Sequence, residues 1–102
     1  MATAMLMYWP GVTTEHYEAA RAEVGWEHAV PDGAICHIAG FDEGGLRVLD
    51  IWDSAEQFQR FAEERLMPVT SKLGIEGEPE IRFYEVHATF NPRLEVTQPA
   101  AA

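Results

Sequence analysis

Cysteine is almost absent from this chain: Cys36 stands alone among 102 residues, so an intramolecular disulfide is excluded. No Cys/His group has structural-zinc spacing, and no H-x-H or H-x-x-x-H pair occurs, so no metal site is expected. Positive charge is scarce as well. Lys and Arg number 7 against 17 Asp and Glu, a formal charge of −10. Such a field repels phosphate backbones and anionic lipid headgroups, so neither nucleic acid nor a membrane surface is expected as a partner. Long apolar runs are also missing. The stretch Met5-Leu6-Met7-Tyr8-Trp9 is too short for a membrane span or a signal core and has no basic start. Nothing directs export, and the expected location is a reducing cytoplasm. Neither G-x-G-x-x-G nor G-x-x-x-x-G-K-[ST] is present, and the chain is expected to use no cofactor.

What the chain does have is a hydrophobic fraction of 47% and an aromatic fraction of 11%, enough for one modest core in a single domain. Thr3 to Trp9 reads as a largely buried strand stopped by Pro10-Gly11. Thr13 can cap a helix over Thr14 to Val24, with Val12 and Tyr17 at the staple positions and Gly25 as a left-handed stop. Ala34 to Phe41 and Leu46 to Trp52 form a hairpin around Asp42-Glu43-Gly44-Gly45. Ser54 and Gln57 make a capping box for a second helix whose apolar stripe is Phe58, Phe61, Ala62 and Leu66, and Met67-Pro68 must kink or restart it. Ile81 to Phe90 reads as the last strand. The expected domain is residues 1–90, followed by a mobile tail over 91–102.

The order β-α-β-β-α-β predicts an α+β, ferredoxin-like fold: a four-stranded antiparallel sheet with both helices on one face. The other face is left bare. If it carries Ile35, Phe41, Leu46 and Trp52, it is a large apolar patch, and a homodimer through that open sheet face is expected.

A turn centred between Glu43 and Gly44 fixes the hairpin register, placing Phe41 opposite Leu46, Ala39 opposite Val48, His37 opposite Asp50 and Ile35 opposite Trp52. A carboxylate beside an imidazole fixes its tautomer and strengthens it as a base, so His37 and Asp50 are the candidate catalytic pair for removing a proton from a phenol or an activated carbon. The same pair read blandly is a cross-strand contact that serves only the sheet. Cys36, by alternation, points to the opposite face from His37, toward the helices, as a small buried thiol. Trp52, Ile35, Phe41, Phe58 and Phe61 are candidates to line a pocket for a hydrophobic or aromatic small molecule, joined from the last strand by Tyr84 and His87. Ordinary packing or exposure is the competing reading of the last two, and His16 and His28 read as solvent-facing.

The stretch Leu49-Asp50-Ile51-Trp52-Asp53-Ser54-Ala55-Glu56-Gln57-Phe58, followed by Met67-Pro68, resembles the strand-to-helix passage of the dimeric α/β-barrel superfamily. Within it the chain is similar to antibiotic biosynthesis monooxygenase-like proteins and small uncharacterised actinobacterial relatives, over Thr3 to Phe90. The resemblance implies sheets paired into a barrel across a dimer. It also implies oxidation of anthrone-like polyketide phenols by dioxygen without metal or flavin, although other members are cyclases, isomerases, decarboxylases or haem-degrading enzymes. Trp52 carries over by position. The expected function is therefore a cofactor-independent enzyme acting on an aromatic or polyketide-like molecule by oxidation, cyclisation or isomerisation. The alternatives are a non-catalytic dimer that binds a small molecule and a haem protein using His37 or His87.

Overall fold

The computed structural model describes residues 1–94. Its elements run β1 (Thr3–Pro10), α1 (Thr14–Val24), β2 (Ala34–Asp42), β3 (Gly45–Trp52), α2 (Ala55–Phe61), a π-helical turn (Ala62–Leu66), α3 (Met67–Lys72) and β4 (Glu80–Glu85). The strands form one antiparallel sheet in the order β2-β3-β1-β4, which is the expected ferredoxin-like arrangement.

Local chemistry explains most boundaries. The Thr13 hydroxyl accepts from the His16 backbone N–H, and His16 Nδ1 accepts in return from the Thr13 N–H, a reciprocal cap with histidine in the place usually held by Glu or Gln. Gly25, at φ 69°, ends α1 in the left-handed conformation expected of it. In the hairpin, Asp42 Oδ1 accepts from the N–H groups of Gly44 and Gly45, which holds a two-residue turn at Glu43-Gly44. The second helix does not simply kink at Met67-Pro68. The Met67 N–H reaches back five residues to the Ala62 carbonyl, so the helix widens for one turn before Pro68, which sits in the first turn of α3.

Register decides which face of the sheet is buried. β1 sets Met5 beside Asp50, Met7 beside Val48 and Trp9 beside Leu46, and the apolar members of these pairs meet Val12, Trp52 and Phe58 in a single core cluster. The face carrying Leu46 and Trp52 is therefore the one under the helices, and the bare face is the other. This corrects the expected composition of the open patch, which is built instead from Leu6, Ile38, Leu49 and Tyr84, each 40 to 50% exposed. Three further corrections are local. A bulge between Ala34 and Cys36 puts Ala34, not Ile35, opposite Trp52, and Ile35 is 55% exposed. Cys36 does face the helices, but beside the bulge strict alternation lapses: it is half-buried and shares the wall of the core cavity with His37, and burial pushes its thiol up from the ordinary value. β4 ends at Glu85 instead of Phe90; only the Val86 N–H extends the pairing, to the Ala2 carbonyl. Of the expected tail, Asn91 to Leu94 make one turn and residues 95–102 lie outside the described residues. Among the described residues, no helix is long and apolar enough to cross a membrane.

Candidate functional site

Four side chains from α1, β2 and β3 form one continuous hydrogen-bonded chain. His37 Nδ1 lies 2.6 Å from Asp50 Oδ1, confirming the expected cross-strand pairing. The Trp52 indole N–H donates to Asp50 Oδ2 at 3.0 Å. On the far side of the imidazole, Tyr17 Oη lies 2.7 Å from His37 Nε2. Donor and acceptor roles follow from the groups themselves. An ionised carboxylate only accepts, so His37 carries its hydrogen on Nδ1, and Nε2 accepts from the Tyr17 hydroxyl. Asp50 is 5% exposed, and a carboxylate so deeply placed is tolerated because both oxygens receive N–H donors. His37 is less enclosed, with 34% of its side chain exposed, and stands at the rim.

Aromatic packing holds this chain in place. The Tyr17 ring lies parallel to the His37 ring, at 6.1 Å and 4°, and its other neighbours are Trp26 at 5.7 Å and Phe41 edge-on at 6.0 Å. Trp26 also meets the His37 ring at 5.4 Å. The residue after Trp26 fixes the loop: both Glu27 oxygens take the Arg21 guanidinium in a two-pronged ion pair, each bond 2.7 Å long. Deeper in, Trp52 packs against Phe58 and Phe61 at 5.5 and 5.6 Å.

Between sheet and helices lies a cavity of about 110 Å³. Met5, Met7 and Trp9 form its floor with Trp52; Phe58, Phe61 and Leu66 close one side; Tyr17, Trp26 and His37 stand on another. Burial pushes the Tyr17 phenol up to about 12, despite the opposing pull of the Arg21 charge. At neutral pH it therefore keeps its proton. An imidazole with a carboxylate behind it and a phenol in front, on the edge of an apolar cavity, has the geometry to move a proton to or from an oxygen or an activated carbon.

Of the residues singled out from the sequence, His37, Asp50, Trp52, Phe58 and Phe61 meet at this cavity. Four do not line it. Ile35 is turned out by the bulge, and Phe41, 40% exposed, meets the Tyr17 ring edge-on outside the cavity lining. Tyr84 pairs with Ala4 on the open face, and His87 is exposed beyond the end of β4. Tyr17, Trp26 and His16 were not foreseen as site residues. The sequence offers Tyr17 as a staple residue; a tyrosine packed there needs a partner for its hydroxyl, and that need is the available signal. Among the described residues, no group of three or more His, Cys, Asp and Glu side chains could hold a metal ion.

No protein-family model and no curated protein sequence matches this chain. Solved structures do. SnoaB, a cofactor-independent oxygenase from Streptomyces nogalater, superposes with a TM-score of 0.59 at 16% identity, over 86% of this chain and 94% of that one. An antibiotic biosynthesis monooxygenase, so described provisionally, from Caulobacter crescentus CB15 gives 0.61 at 12% identity, over 85% and 90%. A monooxygenase from the gene ActVA-Orf6 of Streptomyces coelicolor, in complex with nanaomycin D, gives 0.54 at 16% identity, over 89% and 91%. At such identities the likeness is one of fold, and at that level the resemblance read from the sequence holds.

Proposed function

On the fold it shares with antibiotic biosynthesis monooxygenase-like proteins, we propose that the chain is a cofactor-independent enzyme acting on an aromatic or polyketide-like small molecule, with His37 and Asp50 as its general base. The observation that carries this reading is the 2.6 Å bond from His37 Nδ1 to Asp50 Oδ1 at the rim of an aromatic-lined cavity. Asp50 fixes the tautomer, and the imidazole gains a proton on Nε2 as the substrate becomes an anion. Trp52, its N–H committed to Asp50, offers its ring to a planar ligand beside Phe61. The anion can then pass an electron to dioxygen, or cyclise or isomerise. Oxygenation should consume oxygen in metal-free, flavin-free protein supplied with hydroxyanthrone-type phenols. His37→Ala should lower kcat/KM by about 10² to 10⁴. Full turnover by that variant would defeat the base assignment.

A second reading, a non-catalytic dimer that binds a hydrophobic metabolite, is favoured by one observation: among the described residues no buried side-chain N or O atom lacks a hydrogen-bond partner. Such a satisfied network suits a structural role too. It predicts affinity without turnover. Both readings use a homodimer through the open face around Leu6, Ile38 and Leu49, checked by native mass measurement. Haem fits neither candidate ligand, since Tyr17 engages His37 Nε2 and His87 stands outside the cavity.

A further inference from the structure

We propose that Tyr17 is the group that meets the substrate's acidic hydrogen: its phenol oxygen takes that proton while its own passes to His37 Nε2. The proposal rests on the reading of His37 and Asp50 as the base, and adds the residue that joins them to the ligand.

Three observations lead to it. First, the base has no vacant position. Nδ1–H is committed to Asp50 Oδ1, and the one lone pair on Nε2 already accepts from the Tyr17 hydroxyl at 2.7 Å. A ligand must either evict Tyr17 or work through it. Second, eviction is opposed by packing. Tyr17 is held by the parallel His37 ring, by Trp26 and by the edge of Phe41, and it packs against the core cluster. Third, Tyr17 itself lines the cavity, so its ring and a bound ligand share one space.

The step balances without any oxidant. The substrate O–H or C–H bond breaks and its proton bonds to Tyr17 Oη. The original Tyr17 O–H bond breaks and that proton bonds to His37 Nε2. The products are a substrate anion, a neutral tyrosine and an imidazolium ion-paired to the Asp50 carboxylate. The regenerated Tyr17 O–H is then placed to donate to the anion it has made. Because burial keeps the Tyr17 phenol protonated at neutral pH, Tyr17 starts and ends the step neutral, and the net proton gain is on His37. The ligand class follows: a planar molecule bearing a weakly acidic phenolic or enolic hydroxyl, whose anion gains from a short hydrogen bond.

The probe is 4-nitrophenol, whose anion absorbs visible light, added at a mildly acidic pH where the free compound is protonated. Wild type should bind it and generate the anion, and nitrogen NMR shifts should show a proton gained on His37 Nε2. Tyr17→Phe keeps the ring, and its fold is verified by far-ultraviolet circular dichroism. It should still quench tryptophan fluorescence on binding but form at least about tenfold less anion. As much anion in Tyr17→Phe as in wild type, or more, would overturn the relay, because the probe would then reach Nε2 directly. His37→Ala should form none in either background. Anion formed in His37→Ala, or none in wild type, would instead overturn the reading of His37 as the base and the relay with it.

Discussion

Two neighbouring rows of side chains cross all four strands of the sheet, one residue apart, on its opposite faces. One row is His37, Asp50, Met5 and Phe83; the other is Ile38, Leu49, Leu6 and Arg82. Their polarity is inverted relative to solvent. The covered row holds a carboxylate and an imidazole, while the open row presents three aliphatic side chains to water. Burying Asp50 costs solvation that only its two N–H donors offset, and exposing Ile38, Leu49 and Leu6 forgoes burial that a partner surface would recover. Each departure from the usual pattern makes sense if the covered row does chemistry and the open row meets another surface. The two faces of one sheet thus divide the labour.

The largest effect expected is on the covered face. Phe58 is almost fully buried against Trp52 and Phe83, so Phe58→Ala should lower the unfolding free energy by about 3 to 5 kcal/mol in urea titrations. Leu49→Ala on the open face, measured on monomeric protein, should stay within about 0.5 kcal/mol. Equal losses would erase the distinction between the faces. Next in size is Asp50→Leu. It leaves the Trp52 N–H without an acceptor in a buried setting and releases the His37 Nδ1–H, so a loss of about 1 to 3 kcal/mol is expected. A variant as stable as wild type would mean the carboxylate's burial already cost as much as its bonds returned.

Smaller still, for the folded monomer, is a charge on the open row. Leu49→Lys should change monomer stability by less than about 0.5 kcal/mol, yet it places a cation between Ile38 and Leu6 where the proposed interface would close. Native mass measurement should show wild-type dimer replaced by monomer. Dimer retained by the variant would show that the pairing surface lies elsewhere.

The hairpin was the most legible part of the chain. Asp42, Gly44 and Gly45 specify a short turn, and a known turn centre fixes every pair beyond it, which is why His37 and Asp50 came out together. That logic failed at Ile35, because a bulge inserts a residue without a marker in the sequence. The choice of buried face was not legible either. β1 is apolar on both faces, with Met5, Met7 and Trp9 alternating with Ala4, Leu6 and Tyr8, so periodicity could not say which set meets the helices. Register could: the larger set shares its face with Leu46, Val48 and Trp52. Tyr17 and Trp26 joined the site through side chains reaching across from α1 and the loop after it. Such contacts between distant segments leave no local pattern.

An effect confined to alkaline pH concerns the rim where the covered face opens. Burial holds the Tyr17 phenol at about 12 in the folded protein against an ordinary value of 10. Below pH 10 the phenol is protonated in both folded and unfolded chains, so it adds no slope to stability. Between 10 and 12 the unfolded chain releases this proton first, so the unfolded state is favoured and stability falls as pH rises. Tyr17→Phe has no proton to release and should lack that part of the slope. Urea midpoints for both proteins across this interval isolate the contribution, because every other alkaline group is shared. Parallel curves would mean the Tyr17 hydroxyl is as well solvated as in the unfolded chain, and the rim would then belong with the open face instead of the covered one.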